Sequence, residues 1–221
     1  MLKFSFENRK INAIAKSKGL KTKEVCCFDL PAGYSCPAAD ICLSKANKDT
    51  GKISDGKNCE FRCYAASTES AFPSVRRLRW HNFDMLRSSS DMVELIEASL
   101  PKGIKVIRLH SSGDFFSLNY FRAWHQVAIN HPEIEFFGYT KILPYVNVLK
   151  PNNFNLIYST GGKHDKNLKA EPFVKVFSNL QDMTNEGLTD PCIDDPAGDF
   201  DFIKSGVSFG LLIHGTQPAK K

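Results

Sequence analysis

The apolar positions of this chain change rhythm near residue 100. Over residues 64–100 they recur at helical spacing, interrupted at Pro73. Within residues 74–87, at about 100° per residue, Val75, Leu78, Met85 and Leu86 fall on one arc. Arg76, Arg79, Trp80, Phe83 and Arg87 fall on another. Ser74 reads as the N-cap of that helix and Pro73 as the stop of the one before it. Beyond residue 100, short apolar runs at 104–109, 134–138, 154–158, 173–177 and 207–213 read as strands. Residues 117–130, with Leu118, Phe121, Trp124 and Ala128 inward, and residues 145–149 read as helices between them. Strands alternating with helices predict βαβ units, a parallel sheet and an α/β fold, a partial or irregular (βα) barrel.

The first 63 residues follow no such rhythm. Lysines stand at 3, 10, 16, 18, 21 and 23, ahead of one short apolar segment, Val25-Cys26-Cys27-Phe28. Adjacent side chains in a strand point to opposite faces, so Cys26 and Cys27 cannot both reach one centre, and at least one is core. Residues 45–58 contain Asp49, Gly51, Asp55 and Gly56 and read as an exposed loop. The expected organisation is a single domain, 1–221, with a cysteine-bearing extension (1–63) folded over the strand ends of an α/β core (64–221).

At 42% apolar and 24% charged residues the composition is that of a folded globular chain rather than a disordered one. The formal net charge of +5 is mildly basic. It is compatible with nucleic acid or nucleotides as partners but below that of a dedicated DNA-binding domain. No apolar run approaches bilayer length, and the N-terminus lacks the pattern of a secretion signal. Cytoplasmic residence with reduced thiols is therefore expected. Seven cysteines cannot all be used in disulfides.

Four of those cysteines, Cys36, Cys42, Cys59 and Cys63, cluster with five, sixteen and three residues between them. Clustered thiolates point to a soft metal or an iron–sulfur cluster. Zn2+ also accepts four thiolates, but the paired short spacings of zinc ribbons are missing. A third reading is that the thiols are merely reduced or buried. The spacing Cys59-x3-Cys63 followed by Tyr64 matches the start of the radical-S-adenosylmethionine loop Cys-x3-Cys-x2-Cys. Ala66 stands where its third cysteine would be, which counts against S-adenosylmethionine as a cosubstrate. Cys192 is a remote further ligand candidate.

In parallel α/β folds sites form where loops leave the carboxyl ends of strands. Here those ends carry His110-Ser111-Ser112-Gly113-Asp114, Tyr139-Thr140-Lys141, Ser159-Thr160-Gly161-Gly162, Ser178-Asn179 and His214-Gly215-Thr216. His110 and Asp114 are the candidate proton-handling or substrate-binding groups, and Lys141 a candidate clamp for an anion or carboxylate. Tyr139 and Thr140 are candidate cofactor-binding neighbours. Gly161-Gly162-Lys163-His164 offers a weak anion-cradle pattern without Walker spacing. The arc of Arg76, Arg79, Trp80, Phe83 and Arg87 has the residue types that stack on bases and pair with phosphates. The same residues also suit internal packing, with the arginines paired to nearby acids.

Several of these segments together resemble a family of phage and prophage proteins, the gene-product-88 family. The resemblance is carried by Asn8-Arg9-Lys10, by Leu30-Pro31-Ala32-Gly33-Tyr34-Ser35-Cys36-Pro37-Ala38 with Cys42, and by Cys63-Tyr64. It continues through Arg108-Leu109-His110-Ser111-Ser112-Gly113-Asp114-Phe115-Phe116-Ser117, Trp124, Pro132 and Tyr139-Thr140-Lys141. The resemblance implies a phage origin, supports a cysteine-bound centre, and is similar in organisation to radical-S-adenosylmethionine barrels. The functional expectation is an iron–sulfur protein with a [4Fe–4S] cluster on Cys36, Cys42, Cys59 and Cys63, redox-active or enzymatic, acting on nucleotides or nucleic acid. The alternative is a non-enzymatic, zinc-stabilised nucleic-acid-binding protein using the Arg76, Arg79 and Arg87 face.

Overall fold

A computed structural model describes residues 1–6, 8–215 and 217. In chain order the elements are α1 (Arg9–Ser17), β1 (Val25–Phe28), β2 (Ser44–Ala46), β3 (Ile53–Asp55), α2 (Tyr64–Ala71), α3 (Pro73–Ser88) and α4 (Met92–Glu97). They continue with β4 (Val106–Leu109), α5 (Leu118–Asn130), β5 (Glu135–Thr140), α6 (Leu143–Val146), β6 (Phe154–Ser159), β7 (Phe173–Phe177), α7 (Leu180–Asn185), α8 (Gly198–Ser205) and β8 (Phe209–Leu212). Local chemistry sets several of these starts. Asn8 accepts from the Ile11 N–H, Asp91 from Val93 and Glu94, and Ser117 from Tyr120, each satisfying amides that a helix leaves unpaired.

Six strands form one sheet in the order β1-β4-β5-β6-β7-β8, every neighbouring pair parallel. Strand order thus follows chain order, the winding of a (βα) barrel. Among the described residues β1 and β8 are not paired, so the sheet stays open. Both faces are covered. On one, Cys26, Phe28, Ile107, Leu109, Phe136 and Phe154 pack with Leu86, Ile96, Phe121, Trp124 and Val127 from α3, α4 and α5. On the other, Val25, Cys27, Val106, Phe137 and Ile157 pack with Ile11 and Ile14 of α1 and Phe200 and Ile203 of α8. Burial on both faces explains why the strands read as short continuous apolar runs.

Several expectations need correction. Pro73 opens α3 as its first residue, where its missing N–H is harmless, and Phe72 rather than Ser74 occupies the cap position. Residues 45–58 are no simple loop, because β2 and β3 pair as an antiparallel hairpin. β1 is an edge strand of the main sheet, beside β4 and under α1, and the excursion from it to α2 spans residues 29–63. Cys26 and Cys27 do point to opposite faces, and both are fully buried. No described helix is long and apolar enough to cross a membrane.

Candidate functional site

The carboxyl ends of β1, β4, β5 and β6 lie side by side in the sheet, and the excursion between β1 and α2 folds across them. Ala39 bridges to Gly162, the Asp40 and Ile41 amides donate to the Gly161 carbonyl, and Lys163 Nζ donates to the Pro37 carbonyl. Between excursion and strand ends lies a cleft of about 130 Å³. Cys36, Cys42 and Cys63 line it together with His110, Asp114, Tyr139, Thr140 and Lys141. Segments as distant in sequence as residues 36 and 141 therefore share one cavity.

Cys59 does not line the cleft, though it lies close enough to Cys42 to push the Cys42 thiol up. Its thiol donates to the Phe61 carbonyl at 3.1 Å and touches Ser44 Oγ at 3.6 Å, and it is not among the cleft-lining residues. Cys192 is elsewhere, accepting a hydrogen bond from Lys10 Nζ at 3.4 Å. The three lining thiols are close enough to act on one another electrostatically. Burial pushes Cys36 well above the usual thiol range, with Asp114, Cys63 and Cys42 adding to the effect. Burial likewise raises Cys42, opposed by the Lys141 ammonium. Cys63 is pushed up to about 11 by burial and Cys42, while the Ala65 and Ala66 amides at the start of α2 pull it down. These thiols rest protonated, and donors for a thiolate (the Gly33, Ala65 and Ala66 amides) are already in place. Among the described residues no three His, Cys, Asp or Glu side chains converge as ligands of a single ion.

The groups expected to move protons are otherwise engaged. Asp114 Oδ1 accepts from the Phe115 amide at 2.7 Å and Thr140 Oγ1 at 2.8 Å, and Oδ2 accepts from the Lys141 amide at 2.9 Å. Its carboxylate splices the loop after β4 to the end of β5. Burial raises it against those three donors. His110 is the one described non-glycine residue with positive φ, 63°. Its ring packs edge-on against Phe115, and its Nε2 lies 2.9 Å from Tyr120 Oη. Burial lowers it from 6.5 to about 3, so the imidazole is neutral. Both residues hold the loop after β4 in place at the cleft. Lys141 does face the cleft, held by the carbonyl of Thr160 and by Ser159 through its carbonyl at 3.3 Å and Oγ at 3.2 Å. Tyr139 donates to Asp199, and Thr140 donates to Asp114 while accepting from the Ile142 amide at 3.1 Å.

Sequence reading missed the scaffold behind the cysteines. Asp29, just past β1, accepts from Ser111 Oγ at 2.6 Å and the Ser112 amide at 3.2 Å. Glu69 of α2, fully buried, accepts from the Ala32 amide at 2.9 Å, Arg79 Nη1 at 3.0 Å and Ser112 Oγ at 3.3 Å. Gly113, with φ 90°, has no room for a Cβ, which would come within 2.5 Å of Ser35 Oγ and 2.7 Å of Leu30 Cβ. The available signal was that Asp29 closes an apolar run, as the other strand-end residues do. The arc on α3 is largely internal. Arg76 and Arg79 are buried, Arg76 donating to the carbonyls of Glu69, Lys48 and Asp49 and Arg79 pairing with Glu69 and Asp29. That withdraws Arg76 and Arg79 from the face on which the zinc-stabilised nucleic-acid reading rested, and leaves Arg87 exposed on it. His214 packs against Tyr64 with ring centroids 4.5 Å apart and planes tilted by 41°, and Thr216 lies outside the described residues.

Over residues 2–204 the sequence matches the Gene product 88 family, and the chain belongs to it, a phage protein family. It is similar to the Gene 88 proteins of Mycobacterium phage L5 and Mycobacterium phage D29. Each is 28% identical over 141 residues, covering 58% of this chain and 52% of the relative. The chain thus spans about half the length of the curated relatives it matches. No solved structure matches it.

Proposed function

We propose that this member of the Gene product 88 family binds an iron–sulfur cluster in the cleft, on the thiolates of Cys36, Cys42 and Cys63. The single observation that carries the reading is that these three cysteines, far apart in the chain, line one small cavity at the strand ends. The donor set suits such a group. Thiolate is the ligand of iron–sulfur clusters, and N–H donors to sulfur tune their potential. The cavity, about 130 Å³, also suits an inorganic core better than a nucleoside. Pockets for drug-sized ligands run from about 300 Å³ upward. When bound, the cluster supplies one-electron transfer. The chain's own contribution is to exclude bulk water, to offer the Gly33, Ala65 and Ala66 amides to sulfur, and to hold the Lys141 ammonium beside Cys42 as partial compensation for thiolate charge.

Anaerobic purification with iron and acid-labile sulfide analysis tests the proposal. A brown protein absorbing near 400 nm is expected, with iron lost in the Cys36→Ala, Cys42→Ala and Cys63→Ala variants and retained in Cys59→Ala and Cys192→Ala. A colourless protein carrying stoichiometric zinc, or iron that survives all three cleft substitutions, overturns it.

A further inference from the structure

We infer that the aromatic and cationic face beside the cleft, formed by Tyr34, Trp80, Lys45 and Lys48, binds single-stranded nucleic acid. Six cation–ring pairs occur among the described residues, about twice the usual density for a chain of this size. Three of them sit together here. Tyr34, 38% exposed, packs its ring 4.8 Å from that of the partly buried Trp80, which in turn rests 5.8 Å from Phe83 in the core. Lys45 Nζ lies 5.1 Å from the Tyr34 centroid, Lys48 Nζ 5.0 Å from Trp80, and the Arg87 guanidinium 5.2 Å from Phe83. The residues come from the excursion, including its β2–β3 hairpin, and from α3, so their meeting is a tertiary feature.

The chemistry selects the partner. A row of rings with cations beside it matches a strand whose bases present π-faces and whose phosphates recur along one edge. Among the described residues Lys45 and Arg87 have no carboxylate partner, whereas Lys48 is paired with Asp84 at 2.6 Å. Both side chains of that pair are about half exposed, so a phosphate can compete for the ammonium. Duplex DNA stacks its bases away from such a platform, which leaves the single strand. Gly33 and Cys36, on either side of Tyr34 in sequence, line the cleft, so a bound strand runs past its mouth. The inference rests on the surface alone and stands whether or not iron occupies the cleft.

The test is fluorescence anisotropy of the full chain with a labelled oligothymidylate of about 12 nucleotides, with thymidine monophosphate and a duplex of equal length as separate arms. Binding of the oligonucleotide at low salt is expected, with little binding of either control. Tyr34→Ala should weaken it about tenfold and Tyr34→Phe should not, since only the ring is needed. The double variant Lys45→Ala/Lys48→Ala should reduce the slope of log affinity against log salt by about 1.4, two phosphates at about 0.7 each for a single strand. Lys204→Ala, on the α8 face, should change nothing. Trp124 is fully buried, so any quenching of intrinsic fluorescence reports on Trp80. The inference is overturned by no oligonucleotide binding, by equal binding of the duplex or the monophosphate, by competition from an acidic peptide as effective as oligonucleotide, or by unchanged affinity in both Tyr34→Ala and the double lysine variant.

Discussion

Acidification tests the buried, neutral state assigned to His110. The ring is 5% exposed, sits against Phe115 and Tyr120, and has its value lowered by burial from 6.5 to about 3, with Asp29 the opposing influence. Its folded value is depressed below the unfolded one. Between those two values the unfolded chain therefore binds a proton that the folded chain does not, and stability falls as pH falls through that window. The slope is about 1.4 kcal/mol per pH unit for one proton. Between pH 7.5 and pH 5 the His110 contribution to that loss is about 2 kcal/mol, a large part of a net stability of about 5–15 kcal/mol. His110→Asn is the matched comparison, because asparagine tolerates the left-handed backbone at φ 63° and does not titrate. Urea unfolding of both proteins at pH 7.5, 6 and 5 isolates the contribution, since carboxylates and the other histidines are common to both. The wild type should lose about 2 kcal/mol more than the variant over that interval. Parallel stability curves would refute the reasoning, by showing that the folded ring takes up its proton as readily as the unfolded one.

Glu69→Ala leaves the Arg79 guanidinium buried with only Asp29 at 3.6 Å and the Ala65 carbonyl at 3.1 Å, and should cost about 3–5 kcal/mol in a denaturant titration. Gly113→Ala combines a backbone conformation foreign to L-residues with a clash against Ser35 and Leu30. A loss of about 2 kcal/mol or more is expected by thermal melt, with iron retention falling in parallel because the loop borders the cleft. Cys26→Ala and Cys27→Ala should lower stability while leaving bound iron unchanged, read by metal analysis, since both thiols are buried within the sheet's two faces.

Much of the fold was legible because periodicity reports burial directly. Short apolar runs after residue 100 read as strands, and five of them became β4 to β8, of which β4 to β6 are largely buried on both faces. Their polar ends therefore met at one edge. The N-terminal third resisted the same reading. α1 carries three charges in nine residues around Ile11 and Ile14, and β1 is only four residues long, so neither gives a long period to read. The α3 arc misled for a related reason. Residue type is silent on direction, and Arg76 and Arg79 are turned inward by the carbonyls and carboxylates that tertiary folding brings to them.

From its residues alone this chain specified a parallel α/β layer, a cluster of thiols in one excursion and a set of polar strand ends, because each depends on local pattern. Which thiols share a cavity depends on contacts between distant segments. Only the folded chain brought Cys36, Cys42 and Cys63 against the ends of β4 to β6 and left Cys59 outside. Only it showed that Asp114 spends its carboxylate oxygens joining the loop after β4 to the end of β5, because a hydrogen-bond partner twenty or more residues away leaves no trace in the spacing of a motif.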